Sequence, residues 1–176
     1  MKNTAQSYAE ALFELSREEK SEKEILNDLS FVSSIFKENG EYLKLLNSYA
    51  VTKDEKDKMI NDAFGSGLNK YSLNFLKLLS SKNILHLFFD CEKEFARLYR
   101  KSNNIECATV VSVIDLSEAQ KEKCIEKLEN MSHRKIIASF VTDPGILGGM
   151  IVRFENSQLD MSVKSRLEDM KKHIFS

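Results

Sequence analysis

The residues that most often bind metals or act as nucleophiles are few in this chain and far apart. They are His86, His133, His173, Cys91, Cys107 and Cys124. No two histidines have the i, i+4 spacing of a zinc pair on one helix face, and no cysteine belongs to a CxxC or CxxH motif. An odd number of widely separated cysteines also argues against a disulfide framework and favours a reducing compartment. The sequence therefore predicts no metal site.

The glycine-rich stretch Gly145-Ile146-Leu147-Gly148-Gly149 is the one segment that could suggest a nucleotide-binding loop. A P-loop ends in Gly-Lys-Ser/Thr, whereas this stretch is followed by Met150. Glycines between two strands are better explained by positive φ angles in a tight connection. Cys91 lies near an apolar helix stripe with no histidine placed to activate it. We therefore expect no catalytic residue and no cofactor, and an enzyme is the least favoured class of function.

The charges of the chain are nearly balanced, with 26 Lys and Arg against 27 Asp and Glu. A protein that binds duplex nucleic acid usually carries a basic face, so no nucleic-acid partner is expected. The most apolar window, residues 136–152, contains Asp143, Pro144 and a Gly-Gly pair, and we interpret it as buried strands and a turn rather than a membrane span. The N-terminus resembles neither a signal peptide nor a transit peptide. These features predict a cytoplasmic protein without direct membrane insertion.

The elements that hold these residues are predicted to be helical as far as Asn104, because apolar residues recur there at steps of three and four. Thr52 and Glu55 form a capping box that begins the fourth helix. Asn39-Gly40 is suited to a left-handed C-cap after the second helix. The expected helices are segments 5–15, 25–36, 42–49, 52–64, 68–80 and 85–101. The predicted fold is mainly α, with an N-terminal six-helix bundle at residues 1–104.

After Asn104 the periodicity changes, which predicts a small α/β C-terminal domain at residues 105–176. Strands are expected at 105–114, 136–141 and 150–154, and Ser117 and Gln120 form a second capping box at the start of a helix. A final helix is expected at 162–175, with a narrow apolar seam that would need a partner. The seam consists of Val163, Leu167, Met170 and Ile174.

Small residues around Tyr8 on the first helix offer one surface for helix binding. Ala5, Ala9 and Ala11 would allow another helix to approach closely. Internal packing is the more common role of such residues, so the pattern leaves both interpretations open.

Several segments, in order along nearly the whole chain, resemble the delta subunit of F-type ATP synthases, called the oligomycin-sensitivity-conferring protein in mitochondria. The matching segments are 5–15 with its Tyr-Ala-x-Ala-Leu-Phe pattern, 74–79, 108–112 followed by Leu116-Ser117, and 141–153. The chain departs from the family pattern at Glu155-Asn156, where Gly-Asp is common, and at Lys82-Asn83-Ile84, where Gly-Arg is usual.

The resemblance implies a non-catalytic stator subunit that links the alpha/beta catalytic head to the b subunits of the peripheral stalk, at the cytoplasmic face of a bacterial membrane. It implies that the first and fifth helices receive the N-terminal helix of an alpha subunit, and that the C-terminal domain contacts the b subunits. By this resemblance the partner-binding residues are Tyr8, Ala9, Leu12, Asn74 and Leu78 for the head, and Val163, Leu167 and Met170 for the stalk. An unrelated helical interaction module is the alternative.

Overall fold

The computed structural model of the chain describes residues 2–146, 148–155 and 157–161. Within these ranges the protein is mainly helical and has a small four-stranded sheet near its C-terminus. The chain divides into two compact units, Met1–Arg100 and Lys101–Ser176, each with its own hydrophobic core.

The described part of the N-terminal unit contains six α-helices, and a 3-10 turn at Leu85–Leu87 leads into the last of them. The helices are α1 (Lys2–Glu18), α2 (Glu22–Glu38), α3 (Gly40–Asn47), α4 (Lys53–Phe64), α5 (Lys70–Ser81) and α6 (Phe88–Ser102). The sixth helix therefore starts three residues later than the sequence predicted. Leu85, Leu87 and Phe88 are all buried within four positions, a density that one helical stripe does not provide.

Aromatic rings occupy the middle of this core. The ring of Phe36 on α2 makes edge-to-face contacts with Phe64 on α4 and Phe88 on α6, at centroid distances of 6.1 and 5.2 Å. Phe13 on α1 makes a similar contact with Phe95 on α6 at 5.5 Å. Each such pair contributes about 1 kcal/mol beyond the area it buries. The contact between Phe13 and Phe95 thus holds α1 against α6, the last helix of the N-terminal unit.

The predicted capping box at the start of α4 is confirmed. The Thr52 N–H donates to the Glu55 carboxylate at 2.9 Å, and the Glu55 N–H donates to Thr52 Oγ1 at 3.4 Å. The predicted left-handed C-cap at Asn39 is wrong, because Asn39 has a φ of −120°. Its side-chain amide instead donates to the carbonyl of Ile35 at 3.1 Å, and Gly40 begins α3 directly.

A buried polar contact fixes the C-terminal end of α5. Asn83 takes the left-handed conformation with φ of 56°, and the Ile84 N–H closes the helix end on the carbonyl of Leu79 at 3.0 Å. Lys56 of α4, only 3% exposed, donates from Nζ to Asn83 Oδ1 at 2.6 Å. The buried ammonium is therefore satisfied, and it ties α4 to the turn after α5.

In its described ranges, the C-terminal unit consists of a parallel β-α-β crossover extended by antiparallel strands. Its elements are β1 (Ile105–Ser112), α7 (Glu118–Ser132), β2 (Lys135–Thr142), β3 (Met150–Phe154) and β4 (Gln158–Asp160). The strand order is β2-β1-β3-β4, with β1 and β2 parallel and the remaining pairs antiparallel. Leu128 of α7 packs in a core with Ala108 and Val110 of β1. The Ser117 N–H donates to Gln120 Oε1 at 2.9 Å, as the second capping box predicts.

The glycine-rich connection between β2 and β3 has the predicted positive φ angles. Gly148 and Gly149 have φ angles of 125° and 83°, where a side chain would be strained. The two strands that it joins are not neighbours in the sheet, because β1 lies between them. The predicted helix at 162–175 lies outside the described residues.

Candidate docking groove

The first helix carries two apolar faces. One face packs into the core through Ala5, Ala9 and Phe13, which are at most 7% exposed. The other carries Tyr8, Ala11 and Leu15, at steps of three and four residues, and is partly open to solvent. Leu12 belongs to both faces, because it lies in the core and also lines the surface. A helix that only needed to bury one face would carry polar residues on the second.

The fifth helix has the same double character. Phe75, Leu76 and Leu79 are buried in the core. Tyr71, Asn74 and Leu78 follow one another at steps of three and four on the neighbouring face. Leu78 keeps 42% of its surface exposed, whereas Leu76 and Leu79 on the same helix are at most 1% exposed.

The second faces of α1 and α5 meet in an apolar groove of about 370 Å³, hereafter the α1/α5 groove. It is lined by Tyr8, Ala11, Leu12, Leu15, Tyr71, Asn74, Phe75 and Leu78. Two large aliphatic side chains, Leu15 and Leu78, remain 36% and 42% exposed there. Exposed apolar residues gathered in one concave surface are typical of a binding site, whereas scattered ones are not.

The structure brings together four of the five head-binding residues predicted from the sequence, since Tyr8, Leu12, Asn74 and Leu78 all line the α1/α5 groove. Ala9 is fully buried on the core face of α1, where its small side chain lets α1 approach the core. The three stalk-binding residues Val163, Leu167 and Met170 lie outside the described residues.

Leu15 and Tyr71 also line the groove, although neither is among the site residues predicted from the sequence. Their helical spacing could have identified them. Leu15 follows Tyr8 by seven residues, and Tyr71 precedes Asn74 by three, so each lies on the same helix stripe as a predicted residue.

The contacts at the end of the groove where α5 begins show the relative direction of α1 and α5. Lys70 Nζ lies 4.6 Å from the centroid of the Tyr71 ring. A hydrogen bond with Tyr71 and the nearby carboxylate of Glu19 raise the pKa of the Lys70 ammonium. The side-chain amide of Asn69, at the start of α5, donates to Glu24 in the first turn of α2 at 3.0 Å, and α2 begins four residues after α1 ends. The last residues of α1 are therefore close to the first residues of α5, and the two helices run antiparallel along the groove.

The groove has the features of a binding surface and lacks those of a catalytic site. Its polar groups are the hydroxyl of Tyr8, that of Tyr71 and the amide of Asn74, and no acid/base pair is among its lining residues. Cys91, the predicted structural cysteine, is buried, and burial together with the neighbouring Asp90 raises the pKa of its thiol to about 11. Among the residues that the structure describes, no cluster of His, Cys, Asp and Glu could hold a metal ion.

The C-terminal unit has a smaller apolar pocket of about 260 Å³ beside α7. It is lined by Cys124, Lys127, Leu128, Met131, Gly149, Met150 and Met161. Three methionines give this pocket an adaptable surface, and burial raises the pKa of the Cys124 thiol. Over the described ranges, no helix is both long and apolar enough to cross a membrane.

Comparison with known proteins agrees with the family to which the sequence motifs point. The family model of the ATP synthase delta (OSCP) subunit matches residues 4–174. The ATP synthase subunit delta of Clostridioides difficile strain 630 is 34% identical over 171 residues, covering 97% of this chain and 94% of that protein. The chloroplastic ATP synthase subunit delta of Galdieria sulphuraria is 30% identical over 166 residues, covering 94% of each chain.

A chain in the structure of the Toxoplasma gondii mitochondrial ATP synthase hexamer has the same fold, with a TM-score of 0.66 and coverage of 98% of this chain and 97% of that one. Its sequence identity of 23% supports similarity of fold alone. The match of the family model over nearly the whole chain and the identity to bacterial relatives are sufficient for assignment. The chain belongs to the ATP synthase delta (OSCP) family, whose members are structural, non-catalytic stator subunits of the F-type ATP synthase.

Proposed function

We propose that this stator subunit connects the catalytic head to the peripheral stalk by two separate contacts, one in each unit. The N-terminal unit, a six-helix bundle, receives the N-terminal helix of an alpha subunit. The C-terminal unit contacts the b subunits of the stalk. The protein then works at the cytoplasmic face of the membrane as a peripheral part of the complex.

The observation that carries the head contact is the α1/α5 groove. Helix-in-groove recognition requires an apolar channel whose exposed side chains are covered by one face of an amphipathic helix. Leu15 and Leu78 provide such side chains from opposite walls. The hydroxyl of Tyr8 and the amide of Asn74 can hydrogen-bond to polar groups at the edge of an incoming helix.

The mechanical task explains why an apolar groove suits this contact. Rotation of the central shaft drags on the catalytic head, so the stator must hold the head against torque without dissociating. Separation of a docked helix would re-expose the apolar surface it covered, at about 25 cal/mol for each Å². The affinity of related complexes is set mainly by the rate of dissociation, so a large apolar contact gives a long-lived link.

Support for the stalk contact comes from the C-terminal unit. The methionine-rich pocket beside α7 is open and apolar. The seam predicted at Val163, Leu167 and Met170 follows Met161, which lines that pocket, after one further residue. A pair of apolar surfaces close in sequence suits a helical partner such as the end of a b subunit.

The head contact is tested by calorimetric titration of the full-length protein with a synthetic peptide copying the N-terminal helix of the alpha subunit from the same organism. We expect saturable one-to-one binding with Kd of about 1 μM or tighter. The matched control is a peptide of the same composition whose apolar residues no longer share a face. Hydrogen exchange should slow in α1 and α5 upon binding. Absence of binding by the folded protein would refute the head contact.

A further inference from the structure

The two outer edges of the α1/α5 groove carry opposite charges. On α1, Leu12 lines the groove and also packs in the core, so it marks the edge of this groove wall that is nearest the core. Ala11 lines the groove without belonging to the core, so it lies at the outer edge of the wall. Residues at steps of four and three from Ala11 lie on the same stripe of the helix. This stripe, the α1 rim, is Ser7, Ala11, Glu14 and Glu18.

The wall formed by α5 has an equivalent stripe. Phe75 lines the groove and also packs in the core, so it marks the edge of the α5 wall that is nearest the core. Asn74 lines the groove without belonging to the core, so it lies at the outer edge. The same four- and three-residue steps from Asn74 define the α5 rim, which is Lys70, Asn74, Lys77 and Ser81. One rim thus carries two carboxylates and the other two ammonium groups, although the unit as a whole mixes both signs.

The charges are also unevenly placed along the groove. Because the helices run antiparallel and Asn69 contacts Glu24 just after the α1–α2 connection, Glu18 and Lys70 lie toward the same end, where α1 finishes and α5 begins. The opposite end of the rims carries the hydroxyl residues Ser7 and Ser81. A helix placed in the groove would therefore meet a different pattern if its direction were reversed or if it were turned about its axis.

We propose that these rims select the orientation of the docked helix. The inference rests on the proposed function. The partner is an amphipathic helix with basic residues along the edge that faces the α1 rim and acidic residues along the edge that faces the α5 rim, and both edges are charged at the Glu18 and Lys70 end. The apolar floor supplies most of the affinity, and the rims set direction and speed of association.

The magnitudes agree with this division of roles. Glu14, Glu18 and Lys70 are exposed, and an exposed ion pair contributes little to affinity. Complementary rim charges nevertheless steer encounter and penalise the wrong arrangement, where like charges face each other. The Debye length is about 10 Å at 0.1 M salt, comparable to the diameter of a helix, so the effect must weaken as salt is added.

The experiment uses the full-length protein and two peptides: the alpha-subunit helix of the previous section, and an analogue in which its acidic and basic residues are exchanged. In low salt, the wild-type protein should bind the first peptide at least about tenfold more tightly than the analogue. A variant with exchanged rims, E14K/E18K/K70E/K77E, should reverse that preference. Both preferences should largely disappear at about 0.5 M salt.

The control substitution is Glu38→Lys, which makes the same charge change on another helix. Glu38 is exposed in the last turn of α2, and it neither lines the groove nor belongs to either rim. This variant should keep the wild-type preference between the peptides. Equal binding of both peptides by the wild-type protein, or an unchanged preference in the rim-exchanged variant, would overturn the orientation proposal while leaving the docking function intact. Failure of both peptides to bind would instead refute the docking function itself.

Discussion

The replacement of Leu78 by aspartate tests whether the α1/α5 groove is a binding surface. Leu78 lines the groove and is 42% exposed. Full burial of a leucine side chain contributes about 2.5 kcal/mol, so covering the exposed fraction contributes about 1 kcal/mol to docking. The carboxylate adds a desolvation cost of at least about 2 kcal/mol when the helix covers it. Leu78→Asp should therefore weaken binding by about 3 kcal/mol, or roughly 100-fold.

The chain provides a closely matched control in Leu45. This residue lies on α3, is 46% exposed, and is not among the residues that line the groove. Leu45→Asp removes the same side chain and introduces the same charge, with a similar small loss of helix propensity. Both variants should therefore lose a similar amount of stability, whereas only Leu78→Asp should lose affinity.

The assay is calorimetric titration of each full-length variant with the alpha-subunit peptide, accompanied by a thermal melt. Parallel melts with a large affinity difference are the expected outcome. Equal losses of affinity in Leu78→Asp and Leu45→Asp would show that general destabilisation or net charge, and not the groove, determines peptide binding. Wild-type affinity in Leu78→Asp would refute the assignment of the groove.

Three further experiments test a core contact of α1, the cap of α4 and the burial of the cysteines. Leu12→Ala, at a position only 5% exposed, should lower the free energy of unfolding by about 3 kcal/mol in denaturant titration, and a loss below about 1 kcal/mol would show that Leu12 is not a core residue. Thr52→Ala should lower Tm by about 4 to 8 °C at pH 7 through loss of the cap. Hydrogen bonds from Thr52 lower the pKa of the Glu55 carboxyl below its ordinary 4.5, so the part of the cap's stabilisation that depends on the carboxylate is present above pH 4.5 and is lost as pH falls through the lowered pKa. A Tm difference that stays constant as pH is lowered stepwise from 7 to 2 would contradict this. Iodoacetamide at pH 8 should modify exposed Cys107 rapidly and leave buried Cys91 unmodified, as mass spectrometry of the native protein would show; early labelling of Cys91 would contradict its burial.

The helical period and the capping signals predicted most of the elements, because these features depend on residues close in sequence. Thr52 and Glu55 start α4 where predicted, and the switch to β structure occurs at Ile105 as expected. The conformation of Asn39 was not predictable, since its amide competes with the backbone for the carbonyl of Ile35. The short strand β4 was also missed. Its three residues have no periodicity of their own, and pairing with β3 creates the strand.

The groove was less predictable than the helices that form it. Ala9 and Ala11 are identical residues two positions apart on α1, yet Ala9 is buried in the core and Ala11 lines the groove. Local sequence identifies a helix with small apolar residues on several faces, but the neighbouring helices decide which face remains open. The position of Leu78 opposite α1 likewise depends on how α5 packs, and a single helix pattern carries no such information.

The contacts between the first and last helices of the N-terminal unit have a consequence for synthesis. The thiol of Cys91 reaches the carbonyl of Ala5 at 3.6 Å, and Phe13 packs on Phe95, so α1 completes its core contacts only with α6. A nascent chain emerging from the ribosome therefore carries an incompletely supported α1 until about 95 residues and the length of the exit tunnel have been translated. The groove therefore forms late, and the growing polypeptide cannot bind a helix there before its own N-terminal unit has folded. Formation of the binding surface is in this way tied to the translation of α6.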